Sequence, residues 1–263
     1  MRVAICQLDI IWGEKERNFE KVARFSQEAK AGGADLLVLP ETFATGFTKE
    51  SDTFGEWRKD SITLKFLKKT AKKNEIGILG TFIEKTKDGN KNAAYFVSKN
   101  GKIIGKYHKI NLFSFSGEEK HCAPGKKIVI SEFEGIQCGI TVCFDLRFPE
   151  LYRTLAKRGA EAIFVVSNWP ESRREHWLAL LKARAIENQC YIIGVNRTGT
   201  GGELIYSGDS RVFGPFGEDI SVAGKEEGVI FAEMKKEVVD EVRQKYRFLP
   251  MGWNLQVVHQ VNR

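Results

Sequence analysis

Three short segments place reactive side chains beside apolar runs. Leu36-Leu37-Val38-Leu39 runs into Pro40-Glu41-Thr42-Phe43, so a carboxylate emerges where a buried strand would end. A carboxylate in that position, partly desolvated, can have a raised pKa suited to proton transfer. Tyr107-His108-Lys109-Ile110-Asn111-Leu112-Phe113 carries a lysine among bulky apolar residues. Buried near a reacting carbonyl, its ammonium would stabilise a developing oxyanion. The third segment, Ile140-Thr141-Val142-Cys143-Phe144-Asp145-Leu146-Arg147-Phe148-Pro149-Glu150, sets a cysteine between an apolar run and a helix start. A helix N-terminus and a nearby cation both lower a thiol's pKa, and the thiolate is the nucleophile. The backbone N–H of Phe144 would supply one oxyanion donor. Taken singly, each residue has a blander explanation: a solvated acid, a snorkelling lysine, a small core cysteine.

The elements that must position these residues are legible as an alternation. Apolar runs at Val3–Leu8, Leu36–Leu39, Ile76–Ile83, Ala93–Val97, Ile128–Ile130, Ile136–Val142, Ala162–Val166, Tyr191–Val195 and Gly228–Ala232 read as strands. Segments Lys15–Ala31, Ile62–Lys73, Pro149–Arg158 and Arg174–Gln189 have apolar positions at helical spacing, with Trp177, Leu180, Leu181 and Ala185 on one face of the last. The class is therefore α/β or α+β, with sheets covered by helices. Pro149 suits a first helical turn and Gly159 can end that helix after Lys157-Arg158, which leaves Cys143 at a strand-to-helix turn.

With 263 residues, 42% hydrophobic and 29% charged, the chain fits one large folded domain, expected over 1–263. Its net charge of +7 is dispersed among glutamates, as in Glu14-Lys15-Glu16-Arg17 and Lys235-Lys236-Glu237, which favours solvated helix faces over a nucleic-acid partner. The five cysteines (Cys6, Cys122, Cys138, Cys143, Cys190) are odd in number and scattered, which argues against a disulfide framework and a zinc site. Neither a secretory leader nor a membrane-length apolar run is evident, so a cytoplasmic protein is expected.

Leu39-Pro40-Glu41, then Tyr107-His108-Lys109, then Val142-Cys143-Phe144-Asp145-Leu146-Arg147-Phe148-Pro149-Glu150, in this order and spacing, resemble the nitrilase superfamily, the carbon–nitrogen hydrolases. The resemblance covers essentially the whole chain. It implies Glu41 as general base, Lys109 as oxyanion stabiliser and Cys143 as nucleophile. Many members carry a further glutamate in a Gly-Glu segment before a Pro-Gly turn. Gly117-Glu118 before Ala123-Pro124-Gly125 matches, which points to Glu118, with adjacent Glu119 as the alternative. The resemblance further implies a four-layer αββα sandwich, assembly into a homodimer or larger homo-oligomer, and chemistry without metal or organic cofactor.

Ser167 to Trp177, Ala183 to Gln189 and Tyr206 to Arg211 resemble the ω-amidase branch, whose members hydrolyse the terminal amide of α-keto acids such as 2-oxoglutaramate. The expected substrate is a small anionic amide. Its carboxylate needs a cation, for which Arg173 is the first choice and Arg147 the second. Trp169 and Phe43 are candidate apolar walls. Competing readings are an amidase of a larger acidic amide such as deaminated glutathione, a true nitrilase, a carbamoyl-amine hydrolase, and a non-catalytic binding protein.

Overall fold

The computed structural model describes residues 1–249; residues 250–263, the end of the expected domain, lie outside the described residues. The first half of the chain supplies β1 (Arg2–Gln7), α1 (Lys15–Ala31), β2 (Leu36–Val38), α2 (Ser51–Phe54), β3 (Glu56–Trp57), α3 (Ile62–Asn74), β4 (Gly77–Lys85), β5 (Lys91–Val97) and β6 (Ile103–His108). The second supplies β7 (Ile130–Phe133), β8 (Ile136–Val142), α4 (Pro149–Lys157), β9 (Ala162–Ser167), α5 (Arg174–Asn188), β10 (Tyr191–Asn196), β11 (Thr198–Gly201), β12 (Leu204–Ser207), β13 (Arg211–Phe213), β14 (Asp219–Val222), β15 (Gly228–Glu233) and α6 (Lys236–Lys245).

These strands form two main sheets. One runs β15-β1-β2-β4-β5-β6, with β3 also on β4; the other runs β14-β13-β10-β9-β8-β7, and β11 and β12 make a separate ribbon. Strands β1, β2 and β4 are parallel, as are β8, β9 and β10, and antiparallel strands flank both triplets. Each parallel core is buried on both faces, which is why its strands read as continuous apolar runs. In β1 the period-2 alternation sends Val3 and Ile5 to the core between the sheets and Ala4 and Cys6 to the outer core.

The inter-sheet core joins Val3, Leu36 and Phe96 of one sheet to Val142, Phe164 and Ile193 of the other. On the outer faces α1 and α3 cover the first sheet, and α4 and α5 cover the second. The result is the four-layer αββα sandwich. Helix α3 shows how sequence builds a layer: Ser61 accepts the Leu64 N–H at 2.9 Å and caps the helix, while Leu64, Leu67 and Ala71 turn inward. Truncating the fully buried Leu67 to alanine would cost about 2–5 kcal/mol. Helix α4 starts on Pro149, and Gly159, at φ +96°, turns the chain after it.

Several elements depart from the expectations. Strand β6 was hidden because Gly105 and Lys106 interrupt its apolar pattern, and β14 because it is short and largely exposed. The strand expected at Ile128–Ile130 forms later, as β7, where Ile130 pairs with Gly139. Among the described residues no helix is long and apolar enough to cross a membrane, and no His/Cys/Asp/Glu cluster could hold a metal ion.

Candidate active site

The C-terminal ends of β2, β8 and β9 and the residue following β6 converge, the part of an α/β sheet where ligands are commonly bound. Glu41, fully buried, follows β2 through Leu39-Pro40, and the next residue, Thr42, turns the chain at φ +43°. Cys143 follows β8 and itself adopts φ +48°. That left-handed backbone is unfavourable for a residue with a Cβ, by about 1–3 kcal/mol, and must be held by its surroundings.

Asp145 provides the restraint. Fully buried, its carboxylate accepts the Val142 N–H at 2.9 Å, the Tyr107 hydroxyl at 2.7 Å, and the backbone and side-chain N–H groups of Asn111 at 2.9 and 3.0 Å. Burial raises its pKa against the pull of these donors. The Cys143–Arg147 segment is a 3₁₀ turn, and the α-helix begins only at Pro149. The thiol thus sits at the strand-to-helix turn, one 3₁₀ segment ahead of the α-helix that starts on Pro149 as expected.

A buried charge network faces the thiol. The Lys109 ammonium donates to Glu118 at 2.8 and 3.1 Å and to Glu41 at 3.0 Å. Burial opposes its charge, but Glu41 and Glu118 outweigh that and hold its pKa well above the usual lysine value. Glu118 is 4% exposed and also accepts the Phe113 N–H at 2.7 Å, whereas Glu119 faces solvent. The geometry thus brings in Glu118 and leaves Glu119 out.

Cys143 remains partly open to the cleft. Burial, and then the Glu41 charge, push its thiol above the ordinary cysteine range despite the pull of Lys109. A raised thiol pKa favours the protonated sulfur at neutral pH, with the Glu41 carboxylate as its hydrogen-bonding neighbour. Such an arrangement suits proton transfer concerted with attack on a carbonyl.

Phe113, Phe144, Arg147, Asn168, Trp169, Pro170 and Arg173 surround Cys143. The Arg173 guanidinium lies 5.1 Å from the centre of the Phe113 ring, and Arg147 lies 4.8 Å from that of Trp169. The polar contact of Arg147 is His176 at 3.2 Å, and among the described residues neither guanidinium is in an ion pair. Burial, then the neighbouring Arg173 charge, lower the Arg147 pKa. Two cations with no ion-pair partner among the described residues thus line the cleft beside the thiol.

Trp169 lines this cleft and uses its indole N–H to hold the Arg173 carbonyl at 2.8 Å. Phe43 does not line it. Beyond the left-handed Thr42 its ring enters the outer core, 6.1 Å from Phe19 and 6.4 Å from Phe66. A separate cavity of about 800 Å³, lined by Lys106, His108 and residues 123–127, contains none of Glu41, Lys109 or Cys143.

Some contributors carried no assigned role in the sequence reading. Asn168 donates its backbone N–H to Glu41 Oε2 at 3.0 Å, and its side chain donates to the Glu41 carbonyl at 3.0 Å and to Thr42 Oγ1 at 2.9 Å. It thereby ties the end of β9 to the end of β2, across the two sheets. Asn196 pins Trp169, accepting its N–H at 2.7 Å and donating to its carbonyl at 2.9 Å. Asn168 lies within a segment that carried the resemblance, whereas Asn196 only ends an apolar run.

The carbon-nitrogen hydrolase family pattern matches residues 2–244, and the chain belongs to that family. It is an amide-hydrolysing enzyme of the nitrilase superfamily. It is 34% identical to a 2-oxoglutaramate amidase of Bacillus subtilis (strain 168), over 92% of this chain and 93% of the relative. It is also 34% identical to the omega-amidase YafV of Escherichia coli (strain K12), over 94% of each chain. A deaminated glutathione amidase of Synechocystis sp. (strain PCC 6803 / GT-S) is 30% identical over 87% of this chain and 89% of its own. Among solved structures, XC1258 of Xanthomonas campestris, a CN-hydrolase superfamily protein with an arsenic adduct in its active site, superposes with a TM-score of 0.90 at 29% identity, covering 98% of this chain and 99% of that one.

Proposed function

We propose that this enzyme hydrolyses the terminal amide of a small α-keto acid, 2-oxoglutaramate or 2-oxosuccinamate, to the dicarboxylate and ammonia, with Cys143 as nucleophile. The observation that carries the reading is the Cys143 thiol set between the buried Glu41–Lys109–Glu118 network and a cleft bordered by two arginines that have no acidic partner among the described residues. Glu41 takes the thiol proton as the sulfur attacks the amide carbon. Lys109 and the Phe144 N–H stabilise the oxyanion, and Glu118 holds the ammonium of Lys109 in place. The C–N bond then breaks, Glu41 protonates the leaving nitrogen, and ammonia departs from a thioester. Water, deprotonated by Glu41, attacks the thioester; its C–S bond breaks, the acid is released and the thiol regains its proton. Arg173, and secondarily Arg147, bind the substrate carboxylate against the wall formed by Trp169 and Phe144.

The relatives named for 2-oxoglutaramate and ω-amide hydrolysis support this substrate class. The Synechocystis relative favours deaminated glutathione as the second reading. We place the enzyme in the cytoplasm as a homodimer or larger homo-oligomer, acting on a free metabolite without a nucleic-acid or membrane partner. Exposed apolar side chains such as Ile186 and Phe216 support self-association. The test of substrate is kcat/KM for ammonia release from 2-oxoglutaramate, 2-oxosuccinamate, deaminated glutathione, an aliphatic nitrile and N-carbamoylputrescine. A clear preference for either keto-acid amide is expected; a preference for any other compound overturns the substrate.

A further inference from the structure

One residue outside the cleft touches all three groups of the buried charge network. Asn92, 1% exposed, lies near the start of β5, where its neighbours in the ladder are Ile83 of β4 and, one residue on, His108 of β6. Its side-chain N–H₂ donates to Glu41 Oε1 at 2.8 Å and to Glu118 Oε1 at 3.3 Å. Its backbone carbonyl accepts the Lys109 N–H at 2.9 Å. A single asparagine near the start of β5 therefore fixes two carboxylates by its amide and the intervening lysine by its main chain.

The orientation of that amide is informative. Its Oδ1 is buried without a hydrogen-bond partner among the described residues, an arrangement that costs about 1–3 kcal/mol. Turning the amide over would aim this oxygen at two carboxylates and withdraw both donors from them. The charge network thus dictates the rotamer, and the unpartnered oxygen is what that choice leaves behind.

The two oxygens of Glu41 consequently differ. Among the nitrogen donors of the described residues, Oε1 accepts from both Asn92 and Lys109, whereas Oε2 accepts from the Asn168 N–H alone. With Oε1 anchored, Oε2 is the oxygen with capacity left for a proton. We propose that Asn92 is a positioning residue for the hydrolysis: it holds Glu41 and Glu118 about Lys109 so that Glu41 presents one defined oxygen for proton exchange with Cys143. This inference rests on the roles assigned above to Glu41, Lys109 and Cys143. Asn92 is 1% exposed and bonds to Glu41, Glu118 and the Lys109 main chain, so its part in the reaction runs through these groups.

The experiment compares the wild-type chain with Asn92→Ala and Asn92→Leu, the second keeping the approximate shape of the side chain while removing its donors without adding a charge. Both variants are expected to lose about 10- to 100-fold in kcat, the scale of a small displacement in catalytic geometry, with KM within about twofold. Removing a donor from a carboxylate favours its protonated form, so the acid limb of the pH–rate profile moves to higher pH. The rate of Cys143 alkylation by iodoacetamide against pH should show the same displacement without any substrate. If wild-type protein hydrolyses none of the amides, the functional reading fails while the alkylation profile still tests Asn92. An Asn92 variant with wild-type kcat per titratable thiol and unmoved pH profiles, whether or not its melting temperature falls, overturns the proposal. If Asn92→Ala does not fold, Asn92→Leu alone decides by the same criteria.

Discussion

The Tyr107 hydroxyl donates to Asp145 at 2.7 Å and so links the strand that delivers Lys109 to the turn that delivers Cys143. The same hydroxyl accepts the Ile110 N–H at 3.2 Å. A tyrosine at the end of β6 thus sets the spacing of two groups contributed by different sheets. Replacing it with phenylalanine leaves a buried carboxylate one donor short. Tyr107→Phe is expected to lose about 1–3 kcal/mol in urea unfolding, with a lower kcat and little change in KM. Unchanged stability and kcat would show that the remaining donors to Asp145 suffice.

Glu41 raises the thiol pKa of Cys143 by its charge, yet it is assigned as the base that removes the thiol proton. The two effects separate in Glu41→Gln. Turnover should fall by about 100- to 10,000-fold through loss of the base. The thiol pKa should move down, because a negative neighbour that disfavours thiolate has gone. Ultraviolet thiolate absorbance against pH, read beside kcat, checks both. A variant that kept its turnover would remove Glu41 from the proton-transfer role.

Lys109 has a folded-state pKa held above its unfolded value of about 10.4, so its stabilising contribution is complete below that pH and is lost as pH rises through the raised value. Lys109→Met leaves Glu41 and Glu118 buried without their cation. It should cost about 3–5 kcal/mol at neutral pH and abolish measurable turnover. Wild-type unfolding followed from pH 7 to 11 should show no loss from this ion pair until the alkaline end. An earlier loss that Lys109→Met does not share would show the ammonium titrating too low and contradict its raised pKa.

Arg173 and Arg147 are assigned to an anionic substrate. Arg173→Ala should raise KM for 2-oxoglutaramate by about 10- to 100-fold, consistent with one lost charge-assisted contact, and should leave KM for a neutral amide such as propionamide nearly unchanged. Arg147→Ala should show the same selectivity more weakly. Equal losses on charged and neutral amides would mean that the arginines hold the cleft together instead of reading the carboxylate.

How much of this was visible in the chain depends on the kind of signal each residue leaves. Parallel strands buried on both faces write long apolar runs, so β1, β2, β4, β8, β9 and β10 could be read directly, and the residues at their ends, Glu41 and Cys143, stood out as polar interruptions. Lys109 lay beside a strand that was not recognised, and only the motif around it drew notice. Asn92 and Asn196 leave no periodic trace, since their importance arises where a sheet brings distant residues within hydrogen-bond reach. Phe43 was misplaced for a related reason: the backbone sign at Thr42 sends its ring away from the cleft, and residue types do not announce a left-handed turn there. The raised pKa of the thiol comes from burial and from Glu41, neither of which its neighbours in sequence reveal.

The most direct test of the central claim is acid-quenched mass analysis of the protein during turnover of 2-oxoglutaramate, run beside Cys143→Ala. The mechanism predicts an acyl adduct on the peptide containing Cys143 during turnover, and a folded variant that carries no adduct and releases no ammonia above the uncatalysed rate. Wild-type rates of ammonia release by Cys143→Ala, or an acyl group found on another residue, would contradict it.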